Sequence, residues 1–180
     1  MRKLTHDEIS RTRSQTSPLA PVPLLSLLEN IRSHYNVGSI FRTADGAGIQ
    51  KLILTGYTPV PPRREIEKTA LGATATVPWE HIKDPLEAII ALKSSGTTIL
   101  ALEHTDASRP YTNVAPTEFP ICLILGNELT GVSNRVLAAC DGALEIPMVG
   151  VKHSLNVAVA YGIAVYELVR CWRSARSPVK

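Results

Sequence analysis

The chain is poor in cysteine, and the three it has, Cys122, Cys140 and Cys171, stand far apart with no C-x-x-C pair. That spacing argues against a disulfide framework and a zinc site, and it predicts reduced thiols in a cytoplasmic protein. Long apolar runs are missing as well. No stretch of about 20 apolar residues is present, so neither a bilayer span nor a membrane partner is expected. The opening residues, Met1-Arg2-Lys3-Leu4-Thr5-His6-Asp7-Glu8, lack the apolar segment of a signal peptide. Neither sign of charge dominates: the formal net charge is +3, which permits a nucleic-acid partner without demanding one. Internal repeats and low-complexity tracts are absent.

Several site motifs are also missing. A Rossmann fingerprint needs G-x-G-x-x-G directly after a strand and at the mouth of a helix. The nearest match, Gly46-Ala47-Gly48, closes a predicted helix and has Lys51 where the third glycine belongs. No P-loop, nucleophile elbow or H-E-x-x-H is found, and no metal site is expected. A nucleotide-like cofactor would therefore need another architecture.

What is present reads as one globular domain: 180 residues, 44% hydrophobic and 19% charged. Residues 1–20 form an extension, in which Thr5 and Glu8 have capping-box spacing and Ser17-Pro18 breaks the pattern. The main domain is expected over 21–172, and a basic tail over 173–180. Strands are predicted at Leu24–Leu28, Lys51–Leu54, Val77–Ile82, Thr98–Leu102, Ile121–Leu125 and Ala143–Ile146. Between them, Val37, Ile40, Phe41, Ala44 and Ala47 recur at helical spacing, with Asn36 as N-cap and Gly46 or Gly48 as stop. The proline-rich stretch 57–64 is a loop. A short helix is expected over Ile66–Leu71. Another opens at Asp84-Pro85 and closes at Gly96, one is capped by Ser133 and runs to Ala139, and the longest covers 154–172. Strands alternating with helices imply an α/β fold with a mostly parallel sheet flanked by helices. Ligands of such sheets bind where loops leave the carboxyl ends of strands, so the loops after Leu102, Leu125 and Ile146 are the candidates.

Three segments carry polar groups at such ends. In the first, Asn30 to Asp45, a strand gives way to a helix whose polar face holds Ser39, Arg42 and Asp45; the bland reading is a cap plus an exposed arginine. In the second, the strand Leu123-Ile124-Leu125 ends in Gly126-Asn127-Glu128-Leu129-Thr130-Gly131, placing a close-approach glycine, an amide and a carboxylate at its tip. A solvated turn is the alternative. In the third, Ile146-Pro147-Met148-Val149-Gly150 leads through Lys152 and His153 to Ser154-Leu155-Asn156-Val157, at the predicted start of the last helix. Ser154 alone reads as a cap. A His153–Ser154 hydrolase pair is disfavoured because adjacent residues rarely face each other.

Together these segments resemble the motifs of the SpoU/TrmH family of RNA 2′-O-ribose methyltransferases, in the SPOUT superfamily. Asn36, Gly38 and Arg42 match N-x-G-x-x-x-R; Gly126, Asn127, Glu128 and Gly131 match G-N/S-E-x-x-G; Ile146 through Ala160 match I-P-M-x-G-x-x-x-S-L-N-V-x-x-A. Asn30 and Lys68–Ala73 are also similar to family positions, and the resemblance covers about residues 22–169. It implies a C-terminal deep trefoil knot, a homodimer with its active site near the subunit interface, S-adenosylmethionine as cofactor, and RNA as substrate. It also implies roles. Arg42 would grip a phosphate and stabilise a developing alkoxide, since arginine keeps its proton and is a poor base. Asn36 and Glu128 would orient Arg42 or the substrate, while Ser154 and Asn156 would hold the ribose or the cofactor's amino-acid end. The cofactor loops would comprise Leu102, Glu103 and His104, Gly126 and Asn127, and Ile146, Met148 and Leu155. The short N-terminal extension favours tRNA over rRNA as target. A catalytically silent knotted RNA-binding protein is the alternative reading. Arg2, Lys3, Arg11 and Arg13 at one end, and Arg170, Arg173, Arg176 and Lys180 around Trp172 at the other, are candidate phosphate contacts or ordinary solvated termini.

Overall fold

The short apolar runs of this chain are too brief for buried helices and rich enough in leucine and isoleucine to fill both faces of a sheet. In the computed structural model, which describes residues 1–15 and 20–176, they become seven parallel-paired strands. These are β1 (Val22–Glu29), β2 (Ile49–Thr55), β3 (Trp79–Ile82), β4 (Thr98–Leu102), β5 (Arg109–Pro110), β6 (Ile121–Leu125) and β7 (Gly142–Glu145). Their order across the sheet is β3-β2-β1-β6-β4-β7-β5, and every pairing is parallel. All seven carboxyl ends therefore lie along one edge.

Side chains alternate between two apolar layers, as a period of two requires. Leu24, Leu28, Leu52 and Leu54 face one layer with Phe41, Tyr161 and Leu168, while Leu27, Ile53, Ile99 and Ile124 face the other with Ala88, Ile89 and Val136. The first layer is covered by α2 (His34–Ala47), α3 (Arg64–Ala70), α4 (Ala73–Thr76) and α7 (Val157–Ser174); the second by α5 (Pro85–Ser94) and α6 (Asn134–Leu137). Gly38 explains how α3 lies so close to α2. A Cβ there would stand 2.1 Å from Thr69 Oγ1 and 2.3 Å from the Ile66 carbonyl oxygen. Thr69 Oγ1 in turn donates to the carbonyl of Tyr35 at 3.0 Å.

Several expectations shift. The cap of α2 is Ser33, not Asn36: Ser33 is extended and its hydroxyl accepts from the Asn36 amide, so Asn36 is already helical. Gly48 closes α2 at φ 69°, leaving Gly46 inside the helix. The last helix begins at Val157 instead of 154, because Asn156 is its cap and accepts from the amides of Ala158 and Val159. Ser154 and Leu155 thus belong to the preceding loop. The Thr5–Glu8 capping box holds a helix, α1 (His6–Gln15), at the N-terminus. Ser17-Pro18, Lys180 and the side chain of Arg13 lie outside the described residues. Arg2 pairs with Glu8 and Arg170 with Glu167, so two of the basic end groups already hold carboxylates. Arg176 stacks on Trp172, 3.8 Å from the ring centroid. Among the described residues no helix is long and apolar enough to cross a membrane.

Candidate active site

Parallel register brings the ends of β4, β6 and β7 side by side, and the loops leaving them enclose a cavity of about 560 Å³. All eight residues of the expected cofactor loops (Leu102, Glu103, His104, Gly126, Asn127, Ile146, Met148 and Leu155) line it. So do Glu128, Ser154 and Asn156 from the expected catalytic set. Asn36 joins them through hydrogen bonds, donating from Nδ2 to Glu128 Oε1 at 2.8 Å and accepting at Oδ1 from Asn156 Nδ2 at 3.1 Å. The first, second and third motifs meet in this chain of contacts.

Glu128 is fixed as an anion. Partial desolvation pushes its carboxyl up, but the amides of Arg32 (2.8 Å) and Ser33 (3.0 Å), together with Asn36, outweigh this and hold it below the usual carboxylate range. It thereby anchors the turn between β1 and α2. Glu128 makes no contact with Arg42, so an orienting bond between them is not part of this arrangement.

Other wall residues are committed to the architecture of the loops. Asn127 donates from Nδ2 to the Asn30 carbonyl and to Tyr57 Oη, both at 2.8 Å, and its Oδ1 accepts from the amides of Leu129 and Thr130. Glu103 accepts from the amides of Val132 (2.9 Å) and His104 (3.0 Å). Behind the wall, the buried Glu29 accepts from both the amide and the hydroxyl of Ser133. Gly126 is required by its own loop: a Cβ would stand 2.2 Å from the backbone of both Gly131 and Val132. Gly131, at φ 67°, faces Glu103 Oε2 at 2.2 Å from its would-be Cβ. Both glycines of the second motif thus serve the turn in which Asn127 and Gly131 exchange backbone hydrogen bonds.

Sequence reasoning missed Glu145 and Val132 of the wall, and it gave His104 only a place in a loop. Glu145 accepts from Ser108 Oγ at 2.5 Å and lies 3.5 Å from His104 Nδ1. The Ser108 hydrogen bond, with His104 adding to it against desolvation, holds its carboxyl low. Its position at the end of β7 was the available signal.

Arg42 is placed differently. It is exposed in the middle of α2, makes no hydrogen bond or ion pair among the described residues, and does not line the cavity. Ser39 is helical, as expected, and donates to the Tyr35 carbonyl, so it does not bend α2 to carry Arg42 toward the cavity. Beside α2 lies α7, whose Val159, Ile163 and Tyr166 are 52%, 36% and 51% exposed at helical spacing. Tyr166 Oη would be 2.8 Å from a Cβ at Gly46, which sets this apolar stripe next to the Arg42 helix. His153 and Ser154 share no hydrogen bond, so no hydrolase pair is assembled. Among the described residues no cluster of His, Cys, Asp or Glu could hold a metal.

Comparison with known proteins agrees with this geometry. Residues 23–166 match the model of the SpoU rRNA Methylase family. The tRNA (guanosine(18)-2′-O)-methyltransferase of Escherichia coli K12 is 32% identical over 143 residues, which are 79% of this chain and 61% of that protein. The chain likewise spans less than two thirds of the length of the other curated relatives it matches. The crystal structure of the Aquifex aeolicus TrmH/SpoU tRNA modifying enzyme superposes with a TM-score of 0.79 at 29% identity, covering 87% of this chain and 79% of that one. The AdoMet-bound rRNA methyltransferase of Sinorhizobium meliloti gives a TM-score of 0.75 at 25% identity, over 92% and 70% of the two chains.

Proposed function

The chain belongs to the SpoU RNA methylase family, and from that premise we propose that it transfers a methyl group from S-adenosylmethionine to a ribose 2′-hydroxyl of tRNA. The observation that carries this reading is the cavity at the ends of β4, β6 and β7, where the three motifs meet through Glu128, Asn36 and Asn156.

The cavity fits such a cofactor. Its volume of about 560 Å³ lies within the range of small-molecule sites. Leu102, Ile146, Met148 and Leu155 offer an apolar lining for an adenine ring. Residues 146–156 lie outside any helix or strand, leaving backbone groups to meet polar parts of the ligand. When bound, the cofactor supplies an electrophilic methyl group on a sulfonium. The remaining tasks fall to the chain's own residues. Glu128, held as an anion, keeps the 30–33 turn in place and fixes Asn36. Asn36 and Asn156 tie that turn to the start of α7, which makes them positioning residues. The Ser154 hydroxyl lines the cavity, has no hydrogen-bond partner among the described residues, and is available to the ribose. Arg42 presents a planar guanidinium fork to a phosphate and stabilises charge as the 2′-hydroxyl loses its proton to phosphate or solvent.

We further infer a homodimer. The exposed stripe on α7, next to the Arg42 helix, supports a subunit interface there, which would bring Arg42 into a site shared between copies. The C-terminal knot is carried over from the family as part of the same reading. The test is single-turnover transfer of a labelled methyl group to unmodified tRNA and to rRNA, followed by ribonucleoside mass spectrometry. A 2′-O-methylated nucleoside in tRNA is the expected product. Product in rRNA alone would move the target, and binding without any product would leave a silent RNA-binding protein.

A further inference from the structure

Tyr57 is exposed in a way that folding alone does not explain. The residue is 62% exposed, yet its amide donates to Asn30 Oδ1 at 3.1 Å and its hydroxyl accepts from Asn127 Nδ2 at 2.8 Å. The ring is therefore fixed at both ends while its body stays in water, which forgoes the gain of burying an aromatic side chain. The local backbone is specialised to hold it. Asn30 has φ 55° and Gly56 φ 62°, and a Cβ on Gly56 would stand 1.9 Å from Asn30 Oδ1. Through Asn127 the ring is one residue away from both the cavity wall and Glu128.

The surroundings carry cations without carboxylate partners. Arg32 adjoins Ile31, whose amide donates to Thr58 Oγ1, and Lys83 accepts at its carbonyl from the Gly56 amide. Arg63 ends the loop that carries Tyr57, and Arg64 opens α3 directly after it. All four are exposed, and among the described residues none forms a salt bridge. Glu65, next to Arg64, offsets part of this charge.

Resting on the methyltransferase reading above, we propose that this rim seats the single-stranded RNA beside the target nucleotide, with one base stacked on Tyr57 and phosphates facing Arg32, Arg63, Arg64 and Lys83. Bases splayed from unpaired RNA are bound by stacking on aromatic rings, and exposed cations track the backbone between them. The Asn127 bond places the ring beside the loop that lines the cavity, so a base stacked on its face lies next to the site of transfer, and the stacking is supplied by the ring.

The experiment compares Tyr57→Leu and Tyr57→Phe with the parent. It measures affinity for unmodified bulk tRNA, KM and kcat for methyl transfer to it, and S-adenosylmethionine affinity by calorimetry. Loss of one stacked base contributes about tenfold in affinity. Tyr57→Leu should weaken tRNA binding and raise KM by about that factor with cofactor affinity unchanged, while Tyr57→Phe retains parental tRNA affinity. Equal losses in both variants would make the hydroxyl, and hence loop structure, the point of the residue and overturn the proposal. Parental tRNA affinity in Tyr57→Leu would overturn it while leaving the methyltransferase reading intact. A parent that neither binds nor methylates RNA would sink both.

Discussion

Around the cavity, Glu103, Asn127, Glu128 and Asn156 spend their side-chain oxygens and nitrogens on their own chain, while on the outer face of α2 and α7 Arg42 makes no hydrogen bond or ion pair among the described residues and Val159, Ile163 and Tyr166 lie open. The first region is preorganised: polar groups already satisfied cannot rearrange cheaply, and a ligand finds a shaped wall. The second stands open to solvent within one chain. In the proposed dimer its apolar stripe would meet a second copy, and Arg42 would meet a phosphate. The contrast separates two failures that an activity assay alone would merge, namely loss of the cavity and loss of what acts across it.

The sharpest break should come at Gly126. A single Cβ would meet backbone at 2.2 Å, where no side chain can yield, so the Asn127–Gly131 turn could not close. Gly126→Ala should cost about 1–3 kcal/mol of stability and abolish measurable cofactor binding, and turnover with it. Gly150→Ala, where nothing lies within 4 Å, should do neither. Thermal unfolding and calorimetry on the two variants check the pair. Arg42→Ala should act on the other region alone: cofactor affinity and dimerisation near parental, but single-turnover methyl transfer down about 100-fold or more. Arg42→Lys should also fail, because one ammonium cannot reproduce a planar fork. A joint loss of cofactor binding would return Arg42 to the cavity. Ile163→Asp tests the stripe itself. Light scattering at micromolar concentration should move from dimer to monomer, with cofactor binding kept and turnover reduced. A parent that is already monomeric would remove the interface.

The same contrast marks what was legible in the sequence. β4 and β6 were read to the residue because Thr98–Leu102 and Ile121–Leu125 are apolar runs bounded by turns. The three cavity loops followed from the carboxyl-end rule alone. β5, two residues long, and α4, four residues long, have no period to read. Ser33 and Asn36 are both capping types, and only the extended backbone of Ser33 decides between them. Gly126 was read as a close-approach glycine at a strand end, and the approach seen in the structure is that of the Gly131 and Val132 backbone, which a strand-end pattern cannot place. Arg42 was assigned to the site by motif, but its distance from the cavity depends on how α2 packs against the sheet and α7. That is tertiary information, and spacing along one helix does not contain it.

The smallest expected effect, and the one that tests preorganisation most directly, concerns Glu128. Its carboxyl is held below the usual range in the folded chain, so folding favours the ionised form. That contribution is complete above the unfolded carboxylate value of about 4.3 and is lost as pH falls through the lower folded value. Stability and cofactor affinity should therefore be flat through neutrality and fall only on acidification below that value. Glu128→Gln keeps the size but leaves one acceptor oxygen where Arg32, Ser33 and Asn36 present three donors. Its amide nitrogen would face a donor. Because the residue is solvent-exposed, screening reduces the penalty to about 1 kcal/mol at neutral pH. The acid-dependent part of the stability difference between parent and variant should shrink toward zero as pH falls through the folded value, since a protonated glutamic acid loses the same advantage. Unfolding in urea at neutral pH and in acid measures both numbers. A difference that stays constant across that range would mean the amides are not held by charge, and the 30–33 turn would owe its position to packing instead.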